Sequence, residues 1–181
     1  MIDHLSIIEK FYTPGNDDYN LLIEHSKQVA DLALNLAHRH PEMNIDIDFV
    51  FEAAMLHDIG IFKTHAPSIH CHGELPYICH GYIGRELLDG LNLHRHALVC
   101  EHHTGAGLSL QDIINQQLPL PQREMLPTTI EEKLVCYADK FFSKSKICPA
   151  KPFEKVRQDM SKFGEDTLAR FDEMARIFGK P

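Results

Sequence analysis

The sequence contains no tryptophan, and no apolar run reaches the ~18 residues that a membrane span needs. Basic residues are also scarce. Lys and Arg number 18 against 26 Asp and Glu, so 18 − 26 leaves a net charge of −8. That balance argues against a general binder of nucleic-acid polymers, which needs a basic face to displace counterions. The opening residues Met1-Ile2-Asp3-His4-Leu5-Ser6 carry an acid and no basic stretch, so a cytoplasmic protein without a signal peptide is expected. The five cysteines (71, 79, 100, 136, 148) are an odd number, which points to reduced thiols rather than a disulfide framework. There is no Gly-rich phosphate loop, no Ser or Cys nucleophile elbow, no internal repeat and no low-complexity tract. With 44% hydrophobic residues, wholesale disorder is excluded.

Histidine is abundant, at 13 of 181 residues. It is the commonest metal ligand and titrates nearest neutral pH.

Apolar residues recur at helical spacing, and strand-period alternation of useful length is absent. Asn16-Asp17-Asp18 opens a helix toward Pro41, with Leu22, Val29, Leu32 and Leu36 on one face and His25 among them. Asp46 or Asp48 caps a helix that ends at Asp58, before Gly60. Residues 61–79 read as a long connection with Pro67, Gly73 and Pro76, and connections of that length are usually functional or mobile. Further helices are expected over His80–Leu88, Leu93–His103 and, from a Ser109/Asp112 capping box, to Gln117. A Thr129/Glu132 capping box opens a helix through Ser143 that carries Val135, Asp139 and Phe142 on one stripe. Two more helices, Phe153–Lys162 and Glu165–Phe178, complete a single all-α domain over 1–181. Its motif-bearing core spans about 20–144 and its C-terminal helices about 152–178.

The sharpest chemical feature is His57-Asp58-Ile59-Gly60, at a helix end among apolar residues. Buried polar groups need partners, and a buried carboxylate needs a cation. His25 and Asp139 also lie on apolar helix faces, so His, His, Asp and Asp from three helices form a plausible divalent-metal site in the core of a bundle. Cys71-His72 and Cys79-His80 lack zinc-finger spacing, and Cys100 and Cys136 read as core.

In the order His25, His57-Asp58, Asp139, the chain resembles the HD-domain superfamily of metal-dependent phosphohydrolases, in its HDIG subgroup. The resemblance runs from about Asn20 to Lys144. It implies a helical bundle with the metal site in its core. Members that hold two metals add two histidines, matched here by His80 in Cys79-His80-Gly81-Tyr82-Ile83-Gly84 and His103 in Glu101-His102-His103-Thr104-Gly105. The implied ligands are His25, His57, Asp58 and Asp139 for one metal and His80 and His103 for the second, with Asp58 bridging. Neighbouring helical residues point about 100° apart, so His102 and His103 do not both face one metal. His103 is preferred because His103-Thr104-Gly105-Ala106-Gly107 looks like the segment of close HDIG relatives. The chain departs from the cyclic-di-GMP branch, with Ile61 and Gly105-Ala106-Gly107 where that branch has a Lys and a Gly-Tyr-Pro signature. It looks closer to small stand-alone HDIG hydrolases, including symmetrical diadenosine tetraphosphate hydrolases.

The implied function is hydrolysis of a small phosphate ester or nucleotide by attack of metal-bound hydroxide on phosphorus. Fe, Mn, Zn, Ni and Co all suit such ligands. Asp58, Lys63 and His65 are the candidate catalytic residues, His65 as general acid. Lys63, Lys140 and Lys144 are the candidate phosphate contacts. Two other readings stay open: an HD-fold di-iron oxygenase with the same ligand order, and a metal-stabilised binding domain without catalysis. No membrane partner is expected, and the oligomeric state is left open.

Overall fold

The structure, a computed structural model, describes residues 2–145 and 149–181. Cys148 lies outside the described residues.

Nine α-helices occur among the described residues: α1 (His4–Ile8), α2 (Asp17–His38), α3 (Ile47–Leu56), α4 (His80–Asp89), α5 (His94–His102), α6 (Leu110–Asn115), α7 (Ile130–Asp139), α8 (Phe153–Ser161) and α9 (Glu165–Phe178). A two-residue antiparallel ladder pairs β1 (His65–Ala66) with β2 (Cys71–His72). It organises the 61–79 connection together with short 3₁₀ turns at Ile61–Lys63, Pro67–Ile69 and Tyr77–Cys79. The all-α fold class holds, with this small hairpin as the one departure among the described residues.

Local chemistry sets the helix ends. Asp46 rather than Asp48 caps α3, its carboxylate accepting from the Phe49 N–H at 3.1 Å. Ser109 and Asp112 form a complete capping box on α6. Thr129 accepts from the Glu132 N–H, but the Glu132 carboxylate turns to the Thr128 N–H and His102, so only half of that expected box exists.

Of the helices that are shorter than expected, three end early at the residues that matter. α3 stops at Leu56, leaving His57-Asp58 on the turn that follows. α5 stops at His102, leaving His103 as its cap. α7 ends at Asp139 rather than Ser143, because the next residues tighten into i→i+3 bonds (Phe141 N–H to Ala138 O, Phe142 N–H to Asp139 O). Phe142 therefore leaves the α7 stripe. The five-residue α1 was not expected; Asp3 caps it and Ile8 buries beneath it.

The core has two parts. One gathers Val29, Ala33 and Leu36 of α2 with Phe49 and Ala53 of α3, Val135 and Tyr137 of α7, and Phe171 and Phe178 of α9. The other gathers Ile8, Tyr12, Leu22, Leu56, Ile59, Ile61 and Cys100. Along α2, His25 falls between Leu22 of one part and Val29 of the other. His57-Asp58 falls between Met55 and Ile59 in the same way. The polar cluster thus occupies the seam of the two apolar parts.

α4 and α5 form the most extensive helix pair. A Cβ on Gly81 would lie 2.7 Å from the Cys100 carbonyl, so the small residue lets the two backbones approach. A Cβ on Gly60 would run into the His80 carbonyl and the Gly84 amide. The glycine that follows His57-Asp58-Ile59 is therefore where the start of α4 seats on the turn.

Candidate metal centre

Asp58 is fully buried; no hydrogen bond reaches its Oδ1, and its Oδ2 pairs with the Lys144 ammonium. Around it the two oxygens face different residues. Oδ2 lies 3.3 Å from His25 Nε2, 3.2 Å from His57 Nε2 and 2.7 Å from Lys144 Nζ. Oδ1 lies 3.4 Å from His80 Nε2 and 3.3 Å from His103 Nε2. Asp139 Oδ1 completes the first set, 3.0 Å from His25 Nε2 and 3.4 Å from His57 Nε2. The six residues the sequence singles out as ligands therefore meet as two groups, His25/His57/Asp58/Asp139 and Asp58/His80/His103, sharing Asp58.

Three of the four imidazoles are oriented by one device. His57 Nδ1 lies 2.6 Å from the Ala54 carbonyl, His80 Nδ1 2.7 Å from Tyr77 O, and His103 Nδ1 2.7 Å from Cys100 O, each three residues back in the chain. A carbonyl only accepts, so each Nδ1 carries a proton that it donates. In His80 and His103, which stay neutral, Nε2 then presents a lone pair, which is how a ligating histidine is prepared.

The close packing of these lone pairs fits a cation. His80 Nε2 and His103 Nε2 are 3.0 Å apart, and two lone pairs at that distance repel. Two ligand atoms each about 2.1 Å from one ion are about 3.0 Å apart at right angles and about 3.4 Å apart at the tetrahedral angle. The observed separations within both groups, 3.0 to 3.4 Å, match that spacing. The mixed imidazole and carboxylate donors suit a borderline divalent metal.

Charge is arranged to keep the carboxylates ionised. Burial alone would raise the Asp58 carboxyl, but Lys144 and His57 hold it well below the usual range. Asp139 is held down in the same way by Lys140 and Lys144. Burial would lower His57, yet Asp58 and Asp139 overcome that and raise it to about 9. Burial pushes His80 down to about 3, with the Asp58 charge opposing and His103 adding to the fall. Burial also lowers His103. The carboxylate-rich group thus attracts positive charge, while the other presents neutral rings.

Of the lysines read from the sequence, Lys144 is the one on Asp58. Lys140 Nζ pairs with Asp139 Oδ2 at 2.7 Å and donates to the His103 carbonyl at 3.0 Å. Both follow from the early end of α7, which lets the chain curl its cations back over the cluster. The structure does not bring Lys63 or His65 there. Lys63 is exposed, with its ammonium 5.9 Å from the Phe62 ring, and His65 is exposed opposite His72 in the hairpin. Neither makes a hydrogen bond or ion pair with the cluster.

The residue next to His103 has a different task. His102 Nδ1 lies 2.7 Å from Glu132 Oε2 on α7. Glu101, also buried, binds Arg85 of α4 and Arg123 of the following connector. These pairs tie the end of α5 to the helices that bear His80 and Asp139. Sequence reading missed this brace, as it missed Tyr12. The Tyr12 hydroxyl donates to Ile59 O at 2.9 Å and accepts from the Phe62 N–H at 3.3 Å, pinning the turn after Asp58. The sequence signal was present in Glu101 and Glu132, acids inside apolar helical stretches. The four cysteines among the described residues are free and buried.

With this geometry in place, the comparisons with known proteins agree. The HD domain family matches residues 22–143, and the chain belongs to that family. An uncharacterized protein of Methanocaldococcus jannaschii is 36% identical over 121 residues, covering 65% of this chain and 64% of that one. A tRNA (cytidine(56)-2'-O)-methyltransferase of Thermoplasma volcanium is 32% identical over 146 residues, 80% of this chain and 38% of that protein. The protein of the same name from Picrophilus torridus is 35% identical over 150 residues, 82% of this chain and 38% of its own length. The chain thus spans less than two thirds of each of these relatives. No solved structure gives a significant match. No helix among the described residues is long and apolar enough to cross a membrane.

Proposed function

We propose that this chain is a metal-dependent phosphohydrolase acting on a small phosphate ester or nucleotide, with two divalent cations. His25, His57, Asp58 and Asp139 would hold one, and Asp58, His80 and His103 the other. The observation that carries this reading is Asp58, fully buried, with each oxygen turned to a different pair of imidazoles.

Charge favours an anionic substrate. Lys140 and Lys144 already balance Asp139 and Asp58, two ammoniums against two carboxylates. Every divalent cation then adds positive charge that a phosphoryl group offsets. When bound, such cations lower the pKa of water and neutralise charge on phosphoryl oxygens. In the hydrolysis, a water oxygen forms a bond to phosphorus and the ester P–O bond breaks. The departing alcohol takes up the proton that the water gives up.

The residues of the chain orient and balance. Asp58 links the two histidine groups. Backbone carbonyls fix the three rings. Lys140 and Lys144 hold the carboxylates ionised, and Lys144, at the opening of the cluster, is the first cation an entering phosphate meets. Lys63 and His65 are exposed and make no bond to the cluster, and we give them no part in the chemistry.

We do not carry over the tRNA methyltransferase name of two relatives. The shared segment is 38% of each, and the cluster's donors suit hydrolysis rather than methyl transfer. A di-iron oxygenase would use the same ligands, and the test separates the two. Protein purified without added metal is assayed for phosphate or alcohol release from a panel of phosphate esters, and for oxygen uptake. Ester hydrolysis that is lost with a chelator and restored by Mn, Co, Ni or Zn supports the proposal. Iron alone restoring function, with oxygen consumed, contradicts it.

A further inference from the structure

Two clefts share Lys144, the lysine that reaches the candidate metal ligand Asp58. The first, of about 420 Å³, is lined by Ala66, Ile69, Tyr77 and Phe142 together with Ser143 and Lys151. The second, of about 270 Å³, is lined by Asp17, Asn20, Leu21, Glu24 and His70. Ser68, Lys144 and Ser145 line both. Lys144 is also the residue that reaches down to Asp58, at 2.7 Å. The two clefts therefore share one lysine, bonded to Asp58, and the hydroxyls of Ser68 and Ser145.

The walls differ in chemistry. In the larger cleft the Tyr77 ring is exposed and rests on His80, centroids 4.6 Å apart and planes 23° from parallel. Ile69 and Phe142 add apolar wall, and the Lys151 backbone is tied to Phe141 O at 2.8 Å. This is a platform for a flat ring. The smaller cleft presents the carboxylates of Asp17 and Glu24, the first facing His70 Nδ1 at 3.8 Å. Carboxylates accept hydrogen bonds from hydroxyl and amino groups and repel phosphate.

From this arrangement we infer that the substrate is a phosphodiester. Its phosphate sits at Ser68, Lys144 and Ser145, its ring-bearing arm lies in the Tyr77 cleft, and its hydroxyl- or amine-rich arm lies in the Asp17/Glu24 cleft. A monoester would fill one cleft and leave the other in water. The inference rests on the phosphohydrolase reading above and narrows it. Water adds to phosphorus, one P–O ester bond breaks, and the products are a phosphomonoester and an alcohol that carries away the proton. Each cleft has room for one arm of a diester, the flat ring beside Tyr77 and the hydroxyl-bearing arm beside Asp17 and Glu24.

The test compares kcat/KM of the metal-loaded chain for three p-nitrophenyl esters. These are the diester thymidine 5′-(p-nitrophenyl) phosphate, the donor-free diester bis(p-nitrophenyl) phosphate, and the monoester p-nitrophenyl phosphate. The expected order is that order, with the first exceeding the monoester by about tenfold or more. The double variant Asp17→Asn/Glu24→Gln, both exposed positions, should erase the advantage of the first diester over the second and leave metal content unchanged. Tyr77→Leu and Phe142→Ala should weaken all three esters, since each seats a p-nitrophenyl ring in the Tyr77 cleft. Tyr77→Leu is read only if its metal content matches wild type.

A monoester turned over as fast as the diesters, or faster, overturns the inference and leaves the hydrolase reading standing. An unchanged diester order in the acidic double variant also overturns it. If none of the three esters is cleaved, the hydrolase reading fails. Calorimetric binding of the thymidine diester then decides the two-cleft assignment separately: binding that the double variant weakens supports it, and no binding overturns it.

Discussion

The two ends of the ligand cluster are built differently. The end with His25, His57 and Asp139 holds a second carboxylate besides Asp58, and both lysine ammoniums lie against it. The end with His80 and His103 has imidazoles alone besides the shared Asp58, each locked by a backbone carbonyl. The first end attracts cations by charge and already holds a positive group. The second depends on placement, since two neutral rings must be kept 3.0 Å apart with their lone pairs converging. Charge-rich sites tolerate small displacements better than sites that rely on aligned lone pairs. The first end should therefore bind its metal tightly and keep it when helices shift, and the second should lose its metal first.

The largest effect that would sharpen this contrast is at the second end. His103→Ala should lower metal content by about one equivalent while the first metal stays, whereas His102→Ala should retain both. Elemental analysis reads the difference, and the reverse result would exchange the two histidines' roles.

Gly60→Ala should act next. An added methyl meets the backbone of His80 and Gly84 and pushes α4 off the turn. Thermal unfolding should show a loss of about 1–3 kcal/mol, with metal lost from the second end only. Loss from the first end instead would break the comparison.

Lys144→Met removes the ammonium on Asp58. The first metal should then bind about tenfold more tightly by competition titration, because no fixed cation opposes it. Substrate KM should rise. Weaker metal binding would show that the lysine supports the site rather than competing for it.

The smallest effect is at the brace. Burial would raise Glu132, but His102 and the Thr128 N–H hold it below its ordinary 4.5. A carboxyl depressed on folding stabilises above its unfolded pKa and loses that contribution as pH falls through the folded value. Wild type should therefore lose stability faster than Glu132→Gln below about pH 4.5, while above it the variant is less stable by about 1–2 kcal/mol. Melting temperatures at pH 7 and pH 4 read both.

Four members of the cluster were legible because they break a local rule: His25 and Asp139 interrupt apolar helix faces, and His57-Asp58 interrupts an apolar run. His80 and His103 were read only from the family resemblance. The capping residues Asp46 and Ser109 were legible for a similar reason, since their role is local. Helix ends were not. α7 stops four residues early through i→i+3 bonding that no single residue announces, and that stop swings Lys144 onto Asp58. Lys63 and His65 stand near His57-Asp58 in sequence, yet the 3₁₀ turn and hairpin that follow carry them to the surface. Adjacency along the chain placed the candidates. The path of the turn chose among them, and that path is fixed by long-range contacts such as Tyr12 to Ile59.

The most direct measurement is metal content per chain, with Asp58→Ala alongside wild type. Nearly two equivalents of transition metal in wild type and almost none in Asp58→Ala is the expected result. Both metals retained without the Asp58 carboxylate would contradict the shared-ligand centre on which the account depends.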